Sequence, residues 1–300
     1  MTKFLYQMHI MWYELDMVEE TFDSFLRAKE YATVPIDVKV CFNKQTYLEK
    51  PIVNNIDERF DTLSKHPALA GATIIEKTDA DSLFNVGDWR RDIRGTEGYT
   101  IWGESDTLVP ITYFPIIEQI WNIQDQLKTP HVVSLASRKM WDDSWLPVEH
   151  PIMRQYQYDG KGKSNAPHPL SHDQYITQEE LDAFNGQYAD ALELEHVFPP
   201  KLDGSMLALH PGVPKLISDD IRMVGEDFCA QLALHVLNIP QYHLKNIIKG
   251  HNYHHPRKRT NTIATRNEFN EVVRGGELFD KIKQESMIAR EKFIRGLLHG

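Results

Sequence analysis

Cysteine is almost missing from this chain: Cys41 and Cys229 are the only two in 300 residues. Two thiols cannot build a disulfide framework, and neither has a second cysteine at metal-ligand spacing, so both are expected in the core. No apolar run approaches the roughly 20 residues that cross a bilayer. Positive charge is also short. A net charge of −10 argues against a protein that coats nucleic acid non-specifically, because that affinity comes from neutralising phosphates with Lys and Arg. The opening stretch MTKFLYQMHIMWYELDM holds one lysine and no small-residue cleavage site. It reads as a first strand, and the expected compartment is the cytoplasm. Within it HIMWYELDM has no glycine, whereas a triphosphate cradle at this position needs a glycine-rich loop.

What is present is an ordinary globular composition, 41% hydrophobic and 25% charged, long enough for one catalytic-sized domain with an appendage. The first half alternates between two periods. Residues 4–12 are strand-like; Leu15, Val18, Phe22, Phe25 and Leu26 recur at helical spacing; residues 36–42 are again β-rich. A helix is expected over 57–65, a strand over 72–77, a helical or looped stretch over 83–94 and a strand over 99–103. After Pro110, Ile116, Ile117, Ile120, Trp121 and Ile123 mark a helical apolar face, followed by a strand over 131–136. Such alternation predicts a Rossmann-like, mostly parallel α/β sheet with ligand at the carboxyl ends of its strands.

Between 141 and 214 the regularity fails amid Pro, Gly and His, except for a helix announced by the Thr177/Glu180 capping box before Leu181 and Phe184. This stretch is expected to be an irregular insertion. A helix over 227–237, a strand over 243–248 and a helical tail from Asn267, broken by Gly275 and Gly276, complete the reading. No internal repeat is present. The basic segment HNYHHPRKRTNT at 251–262 is the one local exception to the acidic balance.

The chemistry-bearing stretch is YTIWGESDTLVP at 99–110, a buried-looking strand that ends in Gly103 and then sets out Glu104 and Asp106. Residues just past a strand's carboxyl end line the ligand crevice of a parallel sheet. Two hard oxygen ligands there suit Mg²⁺ or Mn²⁺, which take one or two carboxylates and fill their other positions with water and phosphate. Taken alone, the pair is as readily an acidic turn.

The context resembles the GT-A glycosyltransferases, in particular the large inverting family-two group. That family places a D-x-D motif after this strand to help hold a divalent ion on a nucleotide-sugar diphosphate. MWYELDMVEETFDS resembles its first-strand loop and helix, and VKVCFNKQ its second strand with a nucleotide-contacting turn at Asn43. NVGDWRRDIRGTEGYTIWGESD is similar to its N-x-G, R-N, G-x-Y, D-x-D progression, with Asn85, Gly87, Arg91 and Asp92 in order. GEDFCAQLAL at 225–234 resembles the Glu-Asp segment that opens the helix carrying the catalytic base, and HNYHH follows the strand after which such enzymes often supply a metal-binding histidine. The resemblance runs along residues 1–255, more weakly across 141–214, and leaves 256–300 as a basic segment and helical tail. Glu104 stands where the motif has its first aspartate, and Asn43 where many members carry an aspartate.

The resemblance implies a role for each residue. Asp106 is a metal ligand on Mn²⁺ or Mg²⁺, with His251 as the preferred imidazole partner and His254 in reserve. Glu104 holds the ribose or a metal-bound water, and Asn43 contacts the nucleotide. Arg91, at the family's arginine position, and the run from Arg257 to Arg259 offer charge to a diphosphate leaving group. Arg90 and Arg94 are expected to cover a helix face. Asp227 is the general base and Glu226 a contact to acceptor hydroxyls. In WDDSW at 141–145, Trp141 and Trp145 either stack on a sugar ring, with Asp142 or Asp143 at its hydroxyls, or anchor a turn as buried indoles. Asp219 and Asp220 are expected in solvent. The activity so implied is metal-dependent transfer of a sugar from a nucleotide-sugar, preferably a UDP-sugar, to a hydroxyl with inversion. The acceptor is open among glycan, protein, small molecule and hydroxymethylated DNA. The alternatives are a sugar-phosphate nucleotidyltransferase, a metal-dependent nuclease using Glu104, Asp106, Asp227 and the histidines, and a binding domain that has lost catalysis.

Overall fold

A computed structural model describes residues 2–11, 14–15, 18–43, 56–77, 86–127, 130–135, 177–187, 190, 192–197, 202, 204–216, 226–244, 247–251 and 276–299. Strands β1 (Phe4–Met11), β2 (Ile36–Asn43), β3 (Thr73–Lys77) and β4 (Thr100–Glu104) alternate with helices α1 (Val18–Glu30), α2 (Ile56–Ser64) and α3 (Val86–Asp92). Then come β5 (Thr107–Leu108), α4 (Tyr113–Asn122), β6 (Val132–Leu135) and α5 (Gln178–Gly186). The last elements are β7 (Leu194–His196), β8 (Leu207–Leu209), α6 (Glu226–Val236), β9 (Gln241–Leu244), β10 (Gly250–His251) and a long helix α7 (Gly276–His299). Among the described residues no helix is long and apolar enough to cross a membrane.

Eight strands form one sheet in the order β3-β2-β1-β4-β8-β6-β9-β7. The β1–β2, β1–β4, β2–β3 and β6–β9 pairs are parallel, while β8 runs against both β4 and β6, and β7 against β9. The sheet is therefore mostly parallel, as the alternation predicts. Three boundaries or elements differ from that expectation. β9 begins and ends earlier than the 243–248 predicted. The helical tail is described over Gly276–His299, and its expected start at Asn267 lies outside the described residues. Two sheet strands, β7 and β8, come from the stretch read as irregular, because three residues are too few to display a period of two.

Period-two alternation buries both faces of the sheet. Ile101, Val133 and Ala208 join the core with Phe22 and Phe25 of α1, Phe60 and Leu63 of α2, and Phe114, Ile116, Ile117 and Ile120 of α4. Their neighbours Trp102, Val132, Leu207 and Leu209 face the other way, onto Ala230 and Leu234 of α6. α1 forms where Val18, Thr21, Phe22, Phe25 and Ala28 fall on one helical face, all of them buried. α5 starts directly after Thr177, as the capping signature predicts, and buries Leu181 and Phe184. Cys41 and Cys229 are buried and form no disulfide.

Candidate active site

The strand order reverses between β1 and β4, the topological switch point at which open α/β sheets bind ligands beyond their carboxyl ends. The register brings those ends into line, with His9 opposite Glu104, Met11 opposite Asn43, and Asn43 opposite Lys77. Glu104 thus leaves the sheet at the switch point. Gly103 before it is required by packing: a Cβ there would meet the Tyr6 ring, at 2.8 Å from Cε1. Burial, and secondarily the Glu104 charge, raise the Tyr6 hydroxyl's pKa well above the ordinary phenol value, so Tyr6 is a neutral floor beneath the acid.

Beyond Glu104 the chain turns through Ser105 and Asp106 into β5. Buried hydroxyls of α1 fasten this turn. Thr21 Oγ1 donates to Ser105 O at 2.8 Å, and Ser24 Oγ accepts from Val109 N at 2.6 Å. α5 braces it from the other side: Gln178 Nε2 donates to Val109 O at 3.1 Å, and the Asp182 carboxylate accepts from Ile111 N at 2.9 Å. Asn185 grips the backbone of Ile248 through both ends of its amide, each bond 2.8 Å. That bond pair delivers the following residues to an antiparallel ladder with β5, in which His251 lies opposite Thr107 and Gly250 opposite Leu108. His251 is therefore carried, by backbone register, to the neighbour of Asp106. Asp106 itself is 1% exposed, with both carboxylate oxygens buried.

The facing wall is formed by Leu202 and residues 204–206, which lead into β8. Antiparallel pairing sets Leu207 opposite Trp102, so residues 204–206 run past the tip of β4. Met206 N donates to Trp102 O at 2.6 Å, Tyr113 Oη donates to Met206 O at 3.3 Å, and the buried Lys249 ammonium donates to Ser205 O. Met206 sits at φ 55°, a left-handed conformation uncommon for a non-glycine residue and most often kept where surrounding contacts enforce it. α6 docks on this strap by two residues one turn apart. Gln231 clamps Leu202 through N–H and C=O, at 3.1 and 2.7 Å, and Asp227 lies against Gly204, where a Cβ would come within 2.6 Å of Oδ2.

Arg90 of α3 joins the two walls. Its guanidinium lies 4.6 Å from the centre of the Trp102 ring, and Nη2 donates to Glu104 Oε1 at 3.2 Å and to Gly204 O at 3.4 Å. Glu104 and Asp227, 123 positions apart in the chain, therefore meet the same arginine–glycine pair from opposite sides.

Of the residues singled out in the sequence, Glu104 is linked through Arg90 and Gly204 to Asp227, and the backbone of His251 is brought opposite Thr107, next to Asp106. Asn43 ends β2 in line with them and Glu226 opens α6; the side chains of Asn43, Glu226 and His251 lie outside the described set. Arg91 is buried, with Nε 3.7 Å from Asp92 Oδ1. Arg90, expected only to cover a helix face, is instead the arginine that meets Glu104: adjacent residues on a helix point about 100° apart, and a sequence does not say which of two faces the sheet. Gly204 and Lys249 carried no signal at all. Trp141, Asp142, Asp143, Trp145, Asp219, Asp220, His254 and the run from Arg257 to Arg259 lie outside the described residues.

Among the described residues no group of three or more His, Cys, Asp or Glu side chains is placed to hold a metal ion. At the expected ion position the described residues offer the buried carboxylate of Asp106 and the backbone of His251 opposite the adjoining Thr107.

No family model and no curated protein matches this chain. Among solved structures it is similar to residues 1–349 of S. aureus TarS, at 11% identity and a TM-score of 0.43, covering 95% of this chain and 71% of that one. It is similar also to a longer TarS structure, at 12% identity and a TM-score of 0.43, covering 95% and 43%. Likeness at that level assigns no activity.

Proposed function

We propose that this chain is a glycosyltransferase of GT-A type that moves a sugar from a nucleotide-sugar donor, preferably a UDP-sugar, to an acceptor hydroxyl with inversion. The observation that carries the reading is the meeting of Glu104 and Asp227 at Arg90 and Gly204, beyond the carboxyl end of the strand at the switch point. The sequence motifs assign a donor-side acid and a catalytic base to these two positions.

In the proposed reaction the acceptor oxygen attacks the anomeric carbon from the face opposite the diphosphate. The new carbon–oxygen bond forms as the bond to the diphosphate breaks, and the acceptor proton passes to the Asp227 carboxylate. Asp227 lies in the first turn of α6, where the helix dipole favours a negative charge. Glu104, held by Arg90, orients the ribose or a metal-bound water. Arg91, Asn43 and Glu226 keep the roles of phosphate, nucleotide and acceptor contacts, with Trp141 and Trp145 on the acceptor side. Mn²⁺ or Mg²⁺ held by Asp106 and His251 would supply the positive charge that makes the diphosphate a competent leaving group.

Slow donor hydrolysis identifies the donor without an acceptor. UDP-, GDP-, CDP- and dTDP-sugars are incubated with the protein and Mn²⁺ or Mg²⁺, and nucleoside diphosphate release is followed. Release from one nucleotide class, dependent on the ion, is expected; intact donors throughout would remove the transferase reading.

A further inference from the structure

Arg90 touches nothing that the proposed chemistry consumes, yet it is buried at the centre of the site. The residue is 6% exposed, its guanidinium is braced on the Trp102 ring, and it donates to Glu104 and to the carbonyl of Gly204. Gly204 in turn is the surface on which Asp227 rests, with space for no side chain: an added Cβ would stand 2.6 Å from Oδ2 and 3.2 Å from Cγ. The strap that carries Gly204 is itself fixed from three directions, by Gln231 at Leu202, by the Lys249 ammonium at Ser205 and by Trp102 O at Met206. One nitrogen, Nη2, reaches both acceptors, and a planar guanidinium braced on the Trp102 ring holds it there as an ammonium on a flexible stem cannot.

Resting on the transferase reading, we propose that Arg90 is a positioning residue and Gly204 its counterpart. Together they set the base Asp227 against the donor-side acid Glu104, and so fix where the acceptor hydroxyl meets the anomeric carbon. Misplacing a reacting group by about 1 Å can cost on the order of 10²-fold in rate, while a pocket that binds the nucleotide through other residues keeps its affinity.

Two variants of the full chain test this, Arg90→Lys, which keeps the charge and loses the planar group braced on Trp102, and Gly204→Ala, which fills the space under Asp227. UDP affinity with Mn²⁺ is read by calorimetry, and kcat and KM by hydrolysis of the UDP-sugar that wild type turns over fastest. The expected result is a fall in kcat on the order of 10²-fold in both, with the UDP dissociation constant unchanged within about threefold. A UDP affinity that falls in step with kcat in Arg90→Lys would instead make Arg90 a direct diphosphate ligand, and an unchanged kcat would leave it no role; either overturns the proposal. The seat is read separately, without turnover, from unfolding midpoints. Gly204→Ala lowers the midpoint, and adding Asp227→Ala recovers at least half of the loss. Additive losses would remove Asp227 from the seat. A wild-type chain that turns over no nucleotide sugar defeats the transferase reading, and Arg90's role in it, while the unfolding cycle still judges the contact between Gly204 and Asp227.

Discussion

The carboxylate of Asp227 fills the volume that a side chain at position 204 would need, with Oδ2 2.6 Å from where that Cβ would stand. Since Gly204 O also accepts from Arg90, and Arg90 pairs with Glu104 at 3.2 Å, the helix that carries Asp227 in its first turn is tied to the tip of β4. The strap thus closes one side of the acid, a restriction that serves the proposed role of Asp227 as proton acceptor.

Asp227→Asn separates catalysis from capping. An amide oxygen caps a helix about as well as a carboxylate, so unfolding should change little. An amide accepts no proton, so kcat is expected to fall by about 10² to 10⁴-fold, with UDP affinity retained. Near-normal turnover, or a product that keeps the donor's anomeric configuration, would move the base to Glu226 or to a different mechanism.

At the ion site, Asp106→Ala is expected to abolish the Mn²⁺-dependent part of UDP binding, measured by calorimetry with and without the ion. Glu104→Asp restores the commoner D-x-D motif and is expected to keep ion-dependent binding, although it draws the carboxylate one methylene back from Arg90. Equal UDP affinity in wild type and Asp106→Ala would leave the ion without its proposed ligand.

Gly103→Ala tests the packing under the acid. The new methyl would fall on the buried Tyr6 ring, an overpacking that typically costs about 1–3 kcal/mol. Denaturant titration should show the loss, and Tyr6→Leu in the same chain should recover part of it by emptying the space.

His210 makes stability depend on pH at the opposite end of the sheet. Burial against Trp121, whose ring lies 6.0 Å away, and His131 at 5.6 Å lowers its pKa below the ordinary 6.5. The unfolded chain therefore binds its proton at higher pH than the folded one does. Stability from the neutral ring is complete above about 6.5 and is lost as the pH falls through the lowered folded value. His210→Phe should flatten the acid limb of the unfolding midpoint between pH 7 and pH 5; an unchanged slope would assign that limb to other groups.

Much of the scaffold was legible without coordinates. Helical spacing through Val18, Phe22 and Phe25 and the β-rich runs at 4–12 and 36–42 are local consequences of side chains that must reach one face, and each became the element expected. The acid pair at the end of β4 was legible for the same reason: a hydrophobic run that stops at a glycine and turns acidic marks where a buried strand leaves its sheet. β7 and β8 were not, since strands of three residues show no period and are made by their neighbours. Arg90 and Arg91 are alike in sequence and separate only once α3 has a sheet to lie on.

The chain's local chemistry thus determined the α/β class, the helices and strands of its first half and the carboxylates worth watching. Tertiary structure alone decided which of them meet. Glu104 and Asp227 are linked through Arg90 and Gly204 because β8 inserts antiparallel between β4 and β6 and carries Gly204 past the tip of β4. His251 comes to Asp106 because Asn185, on a helix 63 residues earlier, holds the backbone of Ile248. Contacts of that span depend on the closing of a whole sheet, and no window of sequence contains both partners.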